Sequence, residues 1–133
     1  MSVQIDFAHN AGNWPDQSAI KKIAGDVVLR TLDKLQFEDV ESELSIVLTD
    51  DVEIKKLNRE WRQKNKATNV LSFPAFETAV GQKPGPMLGD IVLAFETIEQ
   101  EALESNIRFL DHLSHLIVHG LLHLLGYDHE KSI

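Results

Sequence analysis

"ELSIVLTDDVEIKKLNREW", residues 43–61, contains a change of period, and that change decides the fold. Its first part, Glu43 to Asp50, is apolar and rich in strand-forming residues, as a buried strand is. Asp50, with Glu53 three residues later, resembles a capping box that opens a helix. Beyond it Ile54, Leu57 and Trp61 fall within an arc of roughly 60° at about 100° per residue, so this apolar side is expected to dock on a core.

The same alternation continues on either side. Val3, Ile5 and Phe7 alternate with polar neighbours as in a half-buried strand. From Pro15 to Leu35 the apolar residues Ile20, Ile23, Ala24, Val27, Val28, Leu32 and Leu35 recur at helical spacing, with Pro15 suited to a first turn. "NVLSFP" (69–74) reads as a short strand stopped by Pro74, and "ETAVGQKPGPMLGD" (77–90) as an exposed loop dense in Gly and Pro. "DIVLAF" (90–95) is strand-like, "ETIEQEALES" (96–105) suits a surface helix, and Phe109 to Leu125 is apolar nearly all round, as a central buried helix is. The order β, α, β, α, β, β, α, α predicts one α+β domain over residues 1–133, with helices packed on a small, mixed sheet.

Composition agrees. A chain of 133 residues, 43% hydrophobic and 26% charged, suits one globular domain with a true core. No apolar run approaches the roughly 20 residues a bilayer span needs, so no membrane association is expected. The start, MSVQIDFAHN, has no basic segment followed by an apolar one, which predicts no secretion signal and a cytoplasmic location. Zero cysteines excludes disulfides and thiolate metal sites, leaving His, Asp and Glu as ligands.

Those ligands are clustered. His112, His115, His119 and His123 lie within an arc of roughly 80° on the last helix, and only neighbours one turn apart reach one ion comfortably. His119 and His123 form such a pair. Gly126, three residues after His123, suits a left-handed turn that ends the helix and brings back His129 as a third ligand. The spacing HxxxHxxGxxH is that of metzincin zinc proteases, so a zincin-like metal site on the central helix is expected. Gly120 stands where such a protease keeps its glutamate base. Three neutral imidazoles leave the ion's charge uncompensated, which favours an anionic substrate over a peptide and makes Gly120 a clue to that substrate. Zinc is the expected ion, although nickel, copper or cobalt also suit three histidines. His112 and His115 suit packing or hydrogen bonding behind the ligands.

The net charge of −8 argues by itself against a polyanionic partner. Its distribution reverses the argument. Six of the 13 basic residues lie between positions 55 and 66 with Glu60 as the only acid, so that stretch is +5 and the remainder −13. Lys55, Arg59, Arg62 and Lys66 share one side of the second helix, nearly opposite its apolar arc, where they could follow a phosphate backbone. Arg59 and Arg62 are equal candidates on spacing for a bidentate phosphate clamp.

Three blocks, "LNREWRQKNKATNVLSFP" (57–74), "LGDIVL" (88–93) and "HLIVHGLLHLLGYDH" (115–129), together resemble the YbeY family of bacterial endoribonucleases. The resemblance implies a cytoplasmic, zinc-dependent, single-strand-specific endoribonuclease. It implies action in ribosomal RNA processing, at the 3′ end of 16S RNA, and in ribosome quality control. It implies single-stranded rRNA and the ribosome or its small-subunit proteins as partners. On it, zinc is held by His119, His123 and His129, and His119 is needed for activity as a ligand. The arginine of the family's "YRxKD" segment falls on Arg62, which becomes the catalytic candidate, while Ser72 and His115 fall on family positions near the metal and are expected as substrate-pocket residues. Trp61 stands where tyrosine or phenylalanine is usual, and Ala67 where proline is common. Family members usually continue past the last histidine, whereas "EKSI" follows here, so His129 is expected to be less firmly held. Two other readings stay open. One is a metal-dependent peptidase-like hydrolase taking its base from Glu96 or Asp90, and the other a non-enzymatic ribosome-assembly factor with a structural zinc.

Overall fold

A computed structural model describes residues 2–127. Asp128 and His129 of the histidine motif lie outside the described residues. Within them the elements follow the expected order: β1 (Ser2–His9), α1 (Gln17–Lys34), β2 (Glu41–Thr49), α2 (Asp51–Arg62), β3 (Val70–Pro74), β4 (Met87–Ala94), α3 (Phe95–Glu104) and α4 (Phe109–Leu124). The fold is α+β, and its sheet is mixed.

The strand order is β1-β2-β4-β3, with β1, β2 and β4 parallel and β3 antiparallel to β4. Chain order alone would leave β4 at an edge. Instead β4, whose Ile91, Val92, Leu93 and Ala94 are all buried, takes an interior place with both faces covered. The short β3 becomes the edge, where Pro74, which has no N–H to donate, is tolerated.

Alternation then makes two cores. Leu44, Ile46 and Leu48 of β2 and Ile91 and Leu93 of β4 pack with Ile20, Val28, Leu113, Ile117 and Leu121, from α1 and α4. On the opposite face Leu71, Val92 and Ala94 meet Ile54 of α2. The helix bearing the histidines and the helix bearing the basic run thus lie on opposite faces, close to the same edge strand.

Several boundaries differ from the sequence reading. Asp16 caps α1 by accepting from the Ser18 and Ala19 N–H groups at 3.0 and 3.3 Å, so Pro15 lies before the helix instead of in its first turn. Residues 87–90, expected in the loop, belong to β4 because they pair with β2 and β3. Asp50 caps α2 through the Glu53 N–H at 2.9 Å, but the Glu53 carboxylate turns to Lys56 at 3.3 Å and leaves the capping box half made. Glu96 of α3 accepts instead from the Asp51 N–H at 2.8 Å. Asp51 in turn accepts from the Thr97 N–H at 3.2 Å and its hydroxyl at 2.7 Å. Each helix start caps the other, which ties α2 to α3.

Candidate active site

Gly120 decides how closely α4 approaches the sheet. A Cβ there would lie 3.0 Å from Ser72 Oγ and 3.1 Å from Ile91 Cγ2, so the helix seats directly on β3 and β4. Ser72, itself buried, donates its hydroxyl to the Gly120 carbonyl at 3.2 Å and locks the contact. Gly120 therefore has a packing role as well: any side chain there would press on Ser72 and Ile91. Gly120→Ala should be neutral to destabilising by about 1 kcal/mol in chemical denaturation, because moving Ser72 or Ile91 by a few tenths of an ångström offsets the roughly 1 kcal/mol that alanine gains over glycine within a helix. A variant stabilised by that full amount would show that the contact is slack.

With Gly120 against the sheet, its neighbours His119 and His123 line a cleft that runs beside β3. The helix then ends as its sequence suggests. Gly126 is left-handed at φ 97°, its N–H donates to His123 O at 3.1 Å, and the Tyr127 N–H donates to Leu122 O at 2.9 Å. A Cβ at Gly126 would collide with the Thr78 carbonyl oxygen, so the loop after β3 also requires glycine there.

The facing wall comes from the end of α2. Gln63 is left-handed at φ 58° and stops the helix, so Lys66 leaves the helical line expected for it with Lys55, Arg59 and Arg62. Buried Asn58 anchors the turn: its carbonyl accepts from the Lys64 N–H at 3.2 Å, and its amide donates to Lys66 O at 2.9 Å. Arg62 reaches across to donate to Ser72 O at 2.7 Å, with its guanidinium 5.7 Å from the Phe73 ring centroid.

The result is a cleft of about 560 Å³. Arg62, Lys64 and Lys66 stand among its walls together with His119 and His123, and no carboxylate lines it among the described residues. Ser72 lines it as expected. Lys55 and Arg59 are exposed on α2 and His115 is exposed on α4, all three outside the lining residues. His112 is engaged elsewhere, with Nε2 2.9 Å from a Glu101 oxygen that also accepts from Asn69 at 2.9 Å. Trp61, expected on the core, is 67% exposed, whereas Ile54 of the same arc is fully buried. Asn58, Lys64 and Asn69 were missed. Asn58 had one visible signal, a polar residue one turn after Ile54 on the apolar side of its helix.

A mixed sheet with two imidazoles beside its antiparallel edge and three cations in the same cleft makes a surface whose charge suits an anionic ligand. The model of the family described as Endoribonuclease YbeY matches residues 4–132. Relatives bearing the name Endoribonuclease YbeY include one from Bartonella bacilliformis, 51% identical over 98% of this chain and 82% of its own. One from Rhizobium etli is 50% identical over 99% and 80%. The solution structure of TM1509 from Thermotoga maritima superposes with a TM-score of 0.61 at 29% identity, covering 96% of this chain and 75% of that one. The chain belongs to the YbeY endoribonuclease family.

Proposed function

We propose that this chain is a zinc-dependent endoribonuclease that cuts single-stranded ribosomal RNA in the cleft between α2 and α4. The observation that carries the reading is the cleft's charge. In a chain of net −8, the described residues lining it include three cations and two imidazoles and no acid. A phosphodiester is the substrate such a wall recognises best. The peptidase reading loses its candidate bases, because Glu96 caps the Asp51 N–H and Asp90 lies on β4 outside the lining residues.

The donor set suits a nitrogen-rich metal site. His119 and His123 line one cleft a turn apart, and His129, beyond the described residues, would complete the ligands after the Gly126 turn. When bound, the metal supplies Lewis-acid stabilisation of the phosphoryl group. Arg62, held by Ser72 O and Phe73, keeps further donors for a non-bridging oxygen of the phosphate and for the charge that grows there. Lys64 and Lys66 hold the flanking strand. No helix of the described residues is long and apolar enough to cross a membrane. The reading extends to a single cytoplasmic domain that matures the 16S RNA 3′ end on the ribosome or with small-subunit proteins and serves ribosome quality control.

The test is cleavage and binding of one RNA sequence as a single strand and as a duplex, with salt varied. The single strand should be bound and cut in preference. A Lys64→Ala/Lys66→Ala double variant should flatten the slope of log affinity against log salt by about 1.4, the value for two lost phosphate contacts on a single strand. An unchanged slope would place the RNA elsewhere.

A further inference from the structure

Trp61 has no place in the chemistry above, and its position is unusual for a residue on the apolar side of a helix. Ile54 is fully buried, Leu57 half-buried and Trp61 67% exposed, so the apolar side of α2 runs out of core before the helix ends. The indole is nevertheless braced. Its centroid lies 6.3 Å from that of Phe73 at an interplanar angle of 69°, an edge-to-face contact. Phe73 also carries the Arg62 guanidinium at 5.7 Å, and Arg62 is tied to Ser72 O at 2.7 Å. Trp61, Phe73 and Arg62 form one connected unit at the edge of the cationic cleft, with most of the indole surface in solvent.

From this we infer that Trp61 is a stacking platform for an unpaired base of the RNA strand whose phosphate Arg62 holds. This rests on the reading of the cleft as an RNA site. Every nucleobase offers a π-face, so such a platform binds single strands without demanding a sequence. Bases inside a duplex have their faces covered by neighbours, so the same platform disfavours duplex. Charge selects the occupant: a cation bonded into the unit and two lysines in the adjoining cleft suit a nucleotide.

The chain has two tryptophans, which makes the test direct. Trp14 is buried and donates to Ala11 O and Thr49 O, so ligand-induced quenching reports Trp61. The full chain would be titrated with a single-stranded 2′-O-methyl oligonucleotide, following tryptophan emission and the anisotropy of a labelled strand. Binding should quench the parent. Trp61→Leu should lose the quenching and bind about tenfold more weakly with an unchanged salt slope, and Trp61→Phe should recover most of the affinity. Undiminished affinity in Trp61→Leu, or quenching that survives in it, overturns the platform alone. A parent that binds no RNA overturns both the platform and the reading of the cleft. If Trp61→Leu keeps its RNA affinity but no longer associates with small ribosomal subunits, the surface belongs to a protein partner and the platform is wrong.

Discussion

Arg62→Ala is expected to lower single-turnover RNA cleavage by roughly 10²–10³-fold with the fold intact, as removal of one preorganised donor to a developing oxyanion does. Arg62 is exposed and is the last residue of α2. Its fixed bond is to the carbonyl of Ser72 at 2.7 Å, on the edge strand, so losing that bond costs about 0.5–1.5 kcal/mol of stability. The functional loss should be larger because Arg62 is held ready: one part of its planar fork binds Ser72 O, which leaves other donors for a phosphate. Arg62→Lys should restore only part of the rate, since a point-like ammonium cannot divide its donors in that geometry. Cleavage within threefold of the parent in Arg62→Ala would remove Arg62 from the transition state. Melting of the variant would show that its bond to Ser72 is structural.

His123→Ala is expected to abolish both metal retention and cleavage. A site of three imidazoles depends on each, and His123 lines the cleft one helical turn from His119. Metal analysis after dialysis should fall from about one ion per chain to none. Added zinc should raise the melting temperature of the parent and not of the variant, because only a ligand that binds the folded form stabilises it. A variant that retains the ion, or a parent that never takes one, would overturn the ligand assignment. Because His123 is only partly exposed and its neighbours Leu121, Leu124 and Leu125 carry the burial, the substitution should leave the core in place.

Legibility in the sequence followed the range of the forces involved. The element order was readable because periodicity and capping act within a few residues: Asp50 caps α2, and Gly126 turns the end of α4. That His119 and His123 lie on one side of α4 was readable for the same reason, since one helical turn is a local distance. Features set by partners far along the chain were not readable. Glu96 caps a helix that starts 45 residues earlier, where a residue-by-residue scan sees a spare carboxylate. Trp61 continues an apolar arc but packs on Phe73 of the edge strand and stays 67% exposed, so period alone places it on the wrong side of the burial boundary. Lys66 holds a helical position on paper until Gln63 turns left-handed.

What the sequence by itself determined is the set of parts: an α+β order, paired imidazoles one turn apart, a glycine stop, a concentrated basic run and the family. What only the tertiary structure decided is which parts share a cleft. Strand order is a long-range packing outcome, in which apolar β4 moves inside and leaves β3 at the edge. That placement brings Arg62, Lys64 and Lys66 to the histidines and leaves Lys55, Arg59 and His115 outside. It also gives Gly120 its packing role, because only the assembled sheet brings Ser72 and Ile91 within about 3 Å of a Cβ added there.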